Sequence, residues 1–188
     1  MSQGRRWLYL VASAAPPVLR IEEFITALQA EGWATCLIAT PTAASWIDLD
    51  AVSGQTGCLT RVHPRPPQQQ EESLPRAEAV VAAPVTFNSL NKWAAGFSDT
   101  LALGVLNEIL GTGVPIVAAP CVKSVLRQHP AYEPSLLRLR SAGVNVLDPD
   151  AITIRAADGL ATFKWEQIAA ALRDATGSNV DDPSSANA

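Results

Sequence analysis

The stretch VVAAPVTFNSLNKWAAGFSDTLAL, residues 80–103, decides how the chain is read. It opens as an unbroken apolar run, the pattern of a strand buried on both faces. It closes with the apolar spacing of a helix. Between the two, Thr86, Asn88, Ser89, Asn91 and Lys92 crowd hydrogen-bonding side chains into one strand-to-helix turn. A helix N-terminus there presents free N–H donors and a partial positive charge, which suits a phosphate.

The same rhythm extends outward. WLYLVASA (7–14) reads as a buried strand, and 17–32 as a helix with Leu19, Phe24, Ile25 and Leu28 on one face, stopped by Gly32. A strand at 33–40 and a short helix at 41–52 follow. HPRPPQQQEESLPRAE (63–78), with four prolines and three glutamines, is a loop. Order returns with a strand at 78–84 and one helix from Ser89 to Leu103 that extends towards Leu110. Further strands at 113–120 and 144–150 flank a helix at 134–143, closed by Gly143. A hairpin at Asp158-Gly159 precedes a terminal helix at 164–176. The expectation is an α/β three-layer sandwich with a central parallel sheet, a single domain over 1–176, and a disordered tail at 177–188.

Composition narrows the function. The 188 residues are 48% hydrophobic and 17% charged, with net charge −4 and no basic block, which argues against nucleic acid and anionic membrane as partners. So little charge suggests a surface partly covered by other subunits. Cys36, Cys58 and Cys121 are widely spaced without a CxxC pair, so neither a disulfide framework nor a metal site is indicated. Two arginines before an apolar run give the N-terminus a weak likeness to a signal peptide. Pro16 and Pro17 break that run, which flows into a helix, so it reads as the first strand of a cytoplasmic protein. No apolar run approaches the roughly 20 residues of a membrane span.

In a parallel sheet, ligands bind outside the carboxyl ends of the strands. Three polar turns lie there: Ser13 in VASAAPP, Thr40, Thr42 and Ser45 in ATPTAASW, and Thr86, Asn88 and Ser89. Ser and Thr at such turns also serve as ordinary N-caps, which accounts for the first two taken alone. Asn88, Asn91 and Lys92 exceed what capping needs. Neither GxGxxG nor GxxxxGK[ST] is present, which favours one phosphate monoester over a dinucleotide or nucleoside triphosphate.

The segment APVTFNSLNKWAAGFSDTLA resembles the PxSxNTxxKxAxGxxDNL signature of the homo-oligomeric flavin-containing cysteine decarboxylases. That family includes phosphopantothenoylcysteine decarboxylase and the peptidyl-cysteine oxidative decarboxylases. Pro84, Thr86, Asn88, Ser89, Lys92, Gly96 and Asp99 fall on signature positions, with Thr for Ser at 86 and Ser for Thr at 89. The segment 129–150 is similar to the family's NPF-initiated helix and closing strand. The resemblance implies a Rossmann-like (flavodoxin-like) fold that binds FMN. It also implies a homo-oligomer, a trimer or a dodecamer of trimers, with flavin between subunits. Ser13, Thr40, Thr42 and Thr86 would surround the phosphate, and Asn88 would meet the flavin and the substrate carboxylate. Ser98 and Asp99 would contact the isoalloxazine. Phe87 and the five tryptophans are candidates for stacking on it, although aromatic residues at these spacings are more often core.

Two motifs depart from the family. Decarboxylating members carry a histidine fourteen residues before the signature proline, where this chain has Gln70; His63 can take that role if the intervening residues form an inserted loop. The substrate-clamping PxMNxxMW motif should start at Pro120, but the chain reads PCVKSVLRQHP, with Val122 and Lys123 at the Met and Asn positions. Cys121 reads as a packed thiol, His129 as a helix cap, and Lys123 as a reader of an anionic group.

The leading expectation is therefore an FMN-dependent oxidative decarboxylase of a cysteine-type thiol, either a small thiol acid or a peptide C-terminus. Asn88 would hold the carboxylate and His63 would act as base. The alternative is a non-catalytic FMN-binding oligomer that has lost this chemistry. A flavin prenyltransferase ranks last, because VASAAPP lacks its glycine-rich first turn.

Overall fold

The computed structural model describes residues 5–66 and 73–177; Gln70 and the tail from 178 onward lie outside them. In chain order the elements are β1 (Arg6–Ala12), a 3-10 turn (Pro16–Arg20), α1 (Ile21–Ala30), β2 (Trp33–Ala39), α2 (Pro41–Ala44), α3 (Leu49–Thr56) and β3 (Leu59–Arg61). There follow β4 (Ala79–Val85), α4 (Phe87–Ala94), α5 (Leu101–Ile109), β5 (Ile116–Pro120), α6 (Ser124–Arg127) and α7 (Tyr132–Ser141). The chain continues through β6 (Val144–Val146), α8 (Pro149–Ile152), β7 (Thr153–Arg155), β8 (Ala161–Phe163) and α9 (Trp165–Gly177).

Six strands form one parallel sheet in the order β3-β2-β1-β4-β5-β6, and β7 and β8 pair separately as an antiparallel hairpin. The chain winds outward one way from β1 and the other way from β4. The switch point lies between them, where a doubly wound sheet opens a crevice at its carboxyl edge. Alternate strand residues face opposite layers. Leu8, Leu10, Leu37, Val81 and Val117 pack with Phe24, Leu28, Ile168 and Leu172 from α1 and α9. Tyr9, Val11, Ile38, Val80 and Ala118 pack with Leu90, Trp93, Leu106 and Leu139 from α4, α5 and α7. The three-layer α/β fold expected from the sequence is therefore present. No helix among the described residues is long and apolar enough to cross a membrane.

The expected helix from Ser89 to Leu103 is two helices. Ala95 ends α4, and Gly96 adopts φ +79°. Gly96 N–H then donates to Trp93 O at 3.0 Å and Phe97 N–H to Lys92 O at 2.9 Å, the paired bonds of a Schellman stop. Thr100 restarts the chain, its hydroxyl accepting Leu103 N–H at 3.2 Å. Asp99 consequently lies in an exposed loop rather than inside an apolar helix, and it pairs with Lys92.

Other boundaries moved for similar reasons. Pro16 and Pro17 hold the first turn in a 3-10 form, which shifts the register so that Leu19 is exposed while Val18 and Ile21 are buried. The helix at 41–52 splits because Asp48 caps a second one, accepting Ala51 N–H at 3.0 Å. The last sheet strand ends at Val146 because Asp148 and Pro149 start α8. Gly177 still belongs to α9, where the tail was expected to begin. The short edge strand β3 was not anticipated.

Candidate functional site

The turn after β4 is shaped by a cap. Thr86 has extended backbone, and its hydroxyl accepts Ser89 N–H at 3.2 Å while donating to Ser89 Oγ at 3.1 Å. The Phe87 and Asn88 N–H groups, at the first two helical positions, have no partner inside the helix and face outward from its end. The turn after β1 lies alongside: Ser13 N–H donates to Pro84 O at 2.8 Å, and Ser13 is 5% exposed. Cys121 N–H bonds Val85 O at 2.9 Å, which brings the turn after β5 to the same place.

These turns open onto a cavity of about 800 Å³ at the carboxyl edge of the sheet. Ala14, Ala15, Thr86, Phe87 and Asn88 form one wall, and Cys121, Val122, Lys123, Leu126 and Arg127 form another. Asp150, Arg155 and the tip of the β7–β8 hairpin close a third side. The hairpin tip is held by Arg20, which pairs with Asp158 at 2.9 Å.

Of the residues singled out from the sequence, Thr86, Phe87, Asn88 and Lys123 line this one cavity. Ser13 is buried immediately beside it. Thr40 caps α2, its hydroxyl accepting Ala43 N–H at 3.2 Å, and Thr42 is exposed on α2. Ser98 accepts from Asn107 Nδ2 at 3.0 Å in the α4–α5 loop, and Asp99 pairs with Lys92 there. This loop and the Phe87–Asn88 turn border a neighbouring cavity of about 470 Å³. His63 lies elsewhere, in a separate cavity lined by residues 60–66, beyond the edge strand β3. Within one chain, His63 and Asn88 do not share a site.

Most of the tryptophans are not at the site. Trp93 and Trp165 belong to the core, where Trp165 stacks on Phe24 with centroids 4.9 Å apart, and only Trp46 lines the cavity. His129 accepts Ala131 N–H on Nδ1 at 3.1 Å, as a cap does, and meets the edge of Phe87. Cys121 is half-buried, and burial pushes its thiol upward in pKa, as for a packed thiol rather than a thiolate nucleophile.

Sequence reasoning missed Arg127, Asp150 and Arg155, and of the five tryptophans it named as stacking candidates Trp46 lines the cavity. Arg127 donates from Nη1 and Nη2 to the two carboxylate oxygens of Asp150, both at 2.8 Å. The hydrogen bond from Arg127 holds the Asp150 carboxyl below its ordinary range. Arg127 occupies the tryptophan position of the clamp motif, a signal present in PCVKSVLRQHP but not used.

The donor set suits a flavin mononucleotide. The unpaired N–H groups at the α4 start suit phosphate oxygens, and the Thr86 hydroxyl can join them by turning its hydrogen away from Ser89 Oγ. The carboxamide of Asn88 makes no bond to another described residue, so both ends are available to a ring edge that donates and accepts. Apolar walls from Ala15, Phe87, Val122 and Leu160 suit a flat ring system, and the volume admits one.

Comparison with known proteins agrees with this geometry. The profile of the family described as Flavoprotein matches residues 1–177. Among curated relatives, the Coenzyme A biosynthesis bifunctional protein CoaBC of Thermococcus kodakarensis is 30% identical over 74 residues, 39% of this chain and 18% of that protein. A cysteine/cysteine sulfinic acid decarboxylase from an unknown prokaryotic organism is 32% identical over 73 residues, 39% of this chain and 20% of that protein. The matched stretch thus spans about a fifth of each relative's length. A PPC decarboxylase variant complexed with pantothenoylaminoethenethiol superposes with TM-score 0.72 at 19% identity, covering 90% of this chain and 97% of that one. The FMN-dependent cysteine decarboxylase TvaF from thioviridamide biosynthesis gives 0.68 at 17% identity, covering 93% and 99%. The FMN binding protein AtHal3 gives 0.70 at 17% identity, covering 90% and 95%. With a family profile matched over residues 1–177 and a doubly wound sheet, the chain belongs to the Flavoprotein family.

Proposed function

We propose that the chain binds FMN and oxidatively decarboxylates a cysteine-type thiol, either a small thiol acid or the C-terminal cysteine of a peptide. The observation that carries this reading is the Thr86–Asn88 turn, a capped helix start whose residues line the largely apolar cavity at the carboxyl edge of the sheet. The names of the matched proteins support it, since TvaF is an FMN-dependent cysteine decarboxylase and AtHal3 an FMN binding protein.

Bound FMN would supply a two-electron acceptor for the thiol-bearing carbon, taking its hydride as the thiol proton passes to a base, and the resulting thioaldehyde would serve as the electron sink for loss of CO2. The chain's own residues bind and orient. Ser13, Thr40, Thr42 and Thr86 hold the phosphate, and Phe87 and Asn88 meet the ring. Asn88 also donates to the substrate carboxylate through a neutral amide, which leaves that group free to lose its charge. His63 is the proposed base. It follows β3, three strands from β4 in the sheet order, or roughly 14 Å at the usual strand spacing. It therefore reaches the site only from a neighbouring copy, which is the reason to propose a homo-oligomer, a trimer or a dodecamer of trimers, with flavin between subunits. Ser98 and Asp99 sit in the exposed loop that would face such a neighbour. The assembly is proposed to be cytoplasmic.

Purified protein should be yellow and release stoichiometric FMN, and Asn88→Asp should abolish CO2 release from cysteine-terminated peptides without unfolding the chain. Colourless protein that fails to bind added FMN overturns the proposal. Mixing His63→Gln subunits with Asn88→Asp subunits should restore part of the turnover, because in a mixed cyclic trimer one interface joins the His63 of one variant to the Asn88 of the other. The second reading, a flavin-binding oligomer without this chemistry, is favoured by Val122 and Lys123 in the clamp segment. It predicts bound FMN and no CO2 from any thiol acid.

A further inference from the structure

Four charged residues line the main cavity: Lys123, Arg127, Asp150 and Arg155. Asp150 holds both Nη atoms of Arg127, so that pair is neutral. Arg155 gives Nη1 to Gly159 O at 2.8 Å and has no carboxylate partner among the described residues. Lys123 makes no hydrogen bond or ion pair with any described residue. An otherwise apolar cavity in a chain of net charge −4 therefore keeps two uncompensated cations.

A second observation points to the same wall. Arg127 Nε is buried without an acceptor, while Nη1 and Nη2 each give one N–H to Asp150. The Tyr132 hydroxyl, on a residue 4% exposed, is also buried and unpartnered, and it lies within electrostatic range of Arg127.

The carboxylate that leaves as CO2 is a poor occupant. Its charge disperses in the transition state, so a cation pair around it stabilises the ground state more and slows the step. A spectator acid is not subject to that conflict. We infer that the substrate is a thiol acid bearing a second acidic group, of the class of an acidic dipeptide ending in cysteine, and that Lys123 seats this second carboxylate. The inference rests on the decarboxylase reading above. The phosphate of FMN presents the same oxyanion chemistry and is separated by the test.

FMN-loaded protein is assayed for CO2 release from Glu-Cys and Gln-Cys, and its affinity for the unreactive Glu-Ser and Gln-Ser is measured by calorimetry. The expected result is at least tenfold tighter binding of Glu-Ser, with a matching preference for Glu-Cys expressed in KM. Lys123→Met should reduce both preferences below threefold, and Lys123→Arg should retain them. FMN affinity, read by flavin fluorescence, should stay within twofold in Lys123→Met; a tenfold loss assigns the subsite to the flavin phosphate and overturns the inference. Equal binding of Glu-Ser and Gln-Ser overturns it whatever the turnover. Persistent Glu-Ser preference with no CO2 from either cysteine peptide supports the subsite and overturns the decarboxylase reading instead.

Discussion

Replacing Thr86 by valine isolates the hydroxyl at the centre of the candidate site. Valine keeps the β-branched shape and suits the extended backbone at φ −77°, ψ 163°, so the turn itself is not strained. What disappears is the acceptor for Ser89 N–H at 3.2 Å and the donor to Ser89 Oγ at 3.1 Å. Loss of a threonine N-cap costs about 1 kcal/mol. Ser89 is buried, so its N–H stays unpaired and raises the total to roughly 1–2 kcal/mol. For a chain of this size that lowers Tm by about 3–7 °C. On FMN binding the Thr86 hydroxyl would turn from Ser89 Oγ to a phosphate oxygen, a charged hydrogen bond of about 1.5–3 kcal/mol, so Kd for FMN should rise roughly 10- to 100-fold. The assay is thermal unfolding of flavin-free protein, because bound flavin would stabilise by mass action, together with FMN titration by fluorescence quenching. Thr86→Ser should restore both properties. Melting within 1 °C of the parent would refute the cap, and an unchanged FMN affinity would remove Thr86 from the cradle.

Gly96→Ala forces a side chain into φ +79° and should cost about 1 kcal/mol or more, read as a lower denaturant midpoint with the same slope. Burial pushes the Cys36 thiol up to about 11, so at pH 8 Ellman's reagent should label Cys121 slowly and leave Cys36 and Cys58 unreacted until denaturant is added. The raised Cys36 value also adds stability that is complete below the unfolded thiol value of about 8.5 and declines as pH rises through about 11, measurable by urea unfolding across that window. The Asp150 carboxyl is shifted down by Arg127, so the stability it adds is present above the unfolded value of about 3.9 and lost as pH falls through its lower folded value. Unfolding curves of the parent and Asp150→Asn should therefore differ by a constant amount from pH 5 to 7 and converge below pH 4.

Features made by neighbours in sequence were readable before the fold was known. The strand run Ala79–Val85, the Thr86 cap three residues from its donor, and the crowded polar turn all depend on contacts within one helical turn. The break at Gly96 and Thr100 is equally local, but the apolar spacing running through it masked the stop and restart signals. The family pattern in the same stretch pointed to a flavin site.

What the sequence determined by itself was the α/β layering, the capped turn after β4 and its suitability for a phosphate, because hydrophobic period and i,i+3 bonds act over a few residues. What only the tertiary structure decided was which distant groups meet. Neighbouring β1 and β4 at the switch point, Arg127 closing on Asp150, Arg20 holding the hairpin tip through Asp158, and His63 placed apart from Asn88 are such outcomes. They arise from strand order and layer packing, which depend on the shape of the whole core and leave no periodic trace in the segments they join.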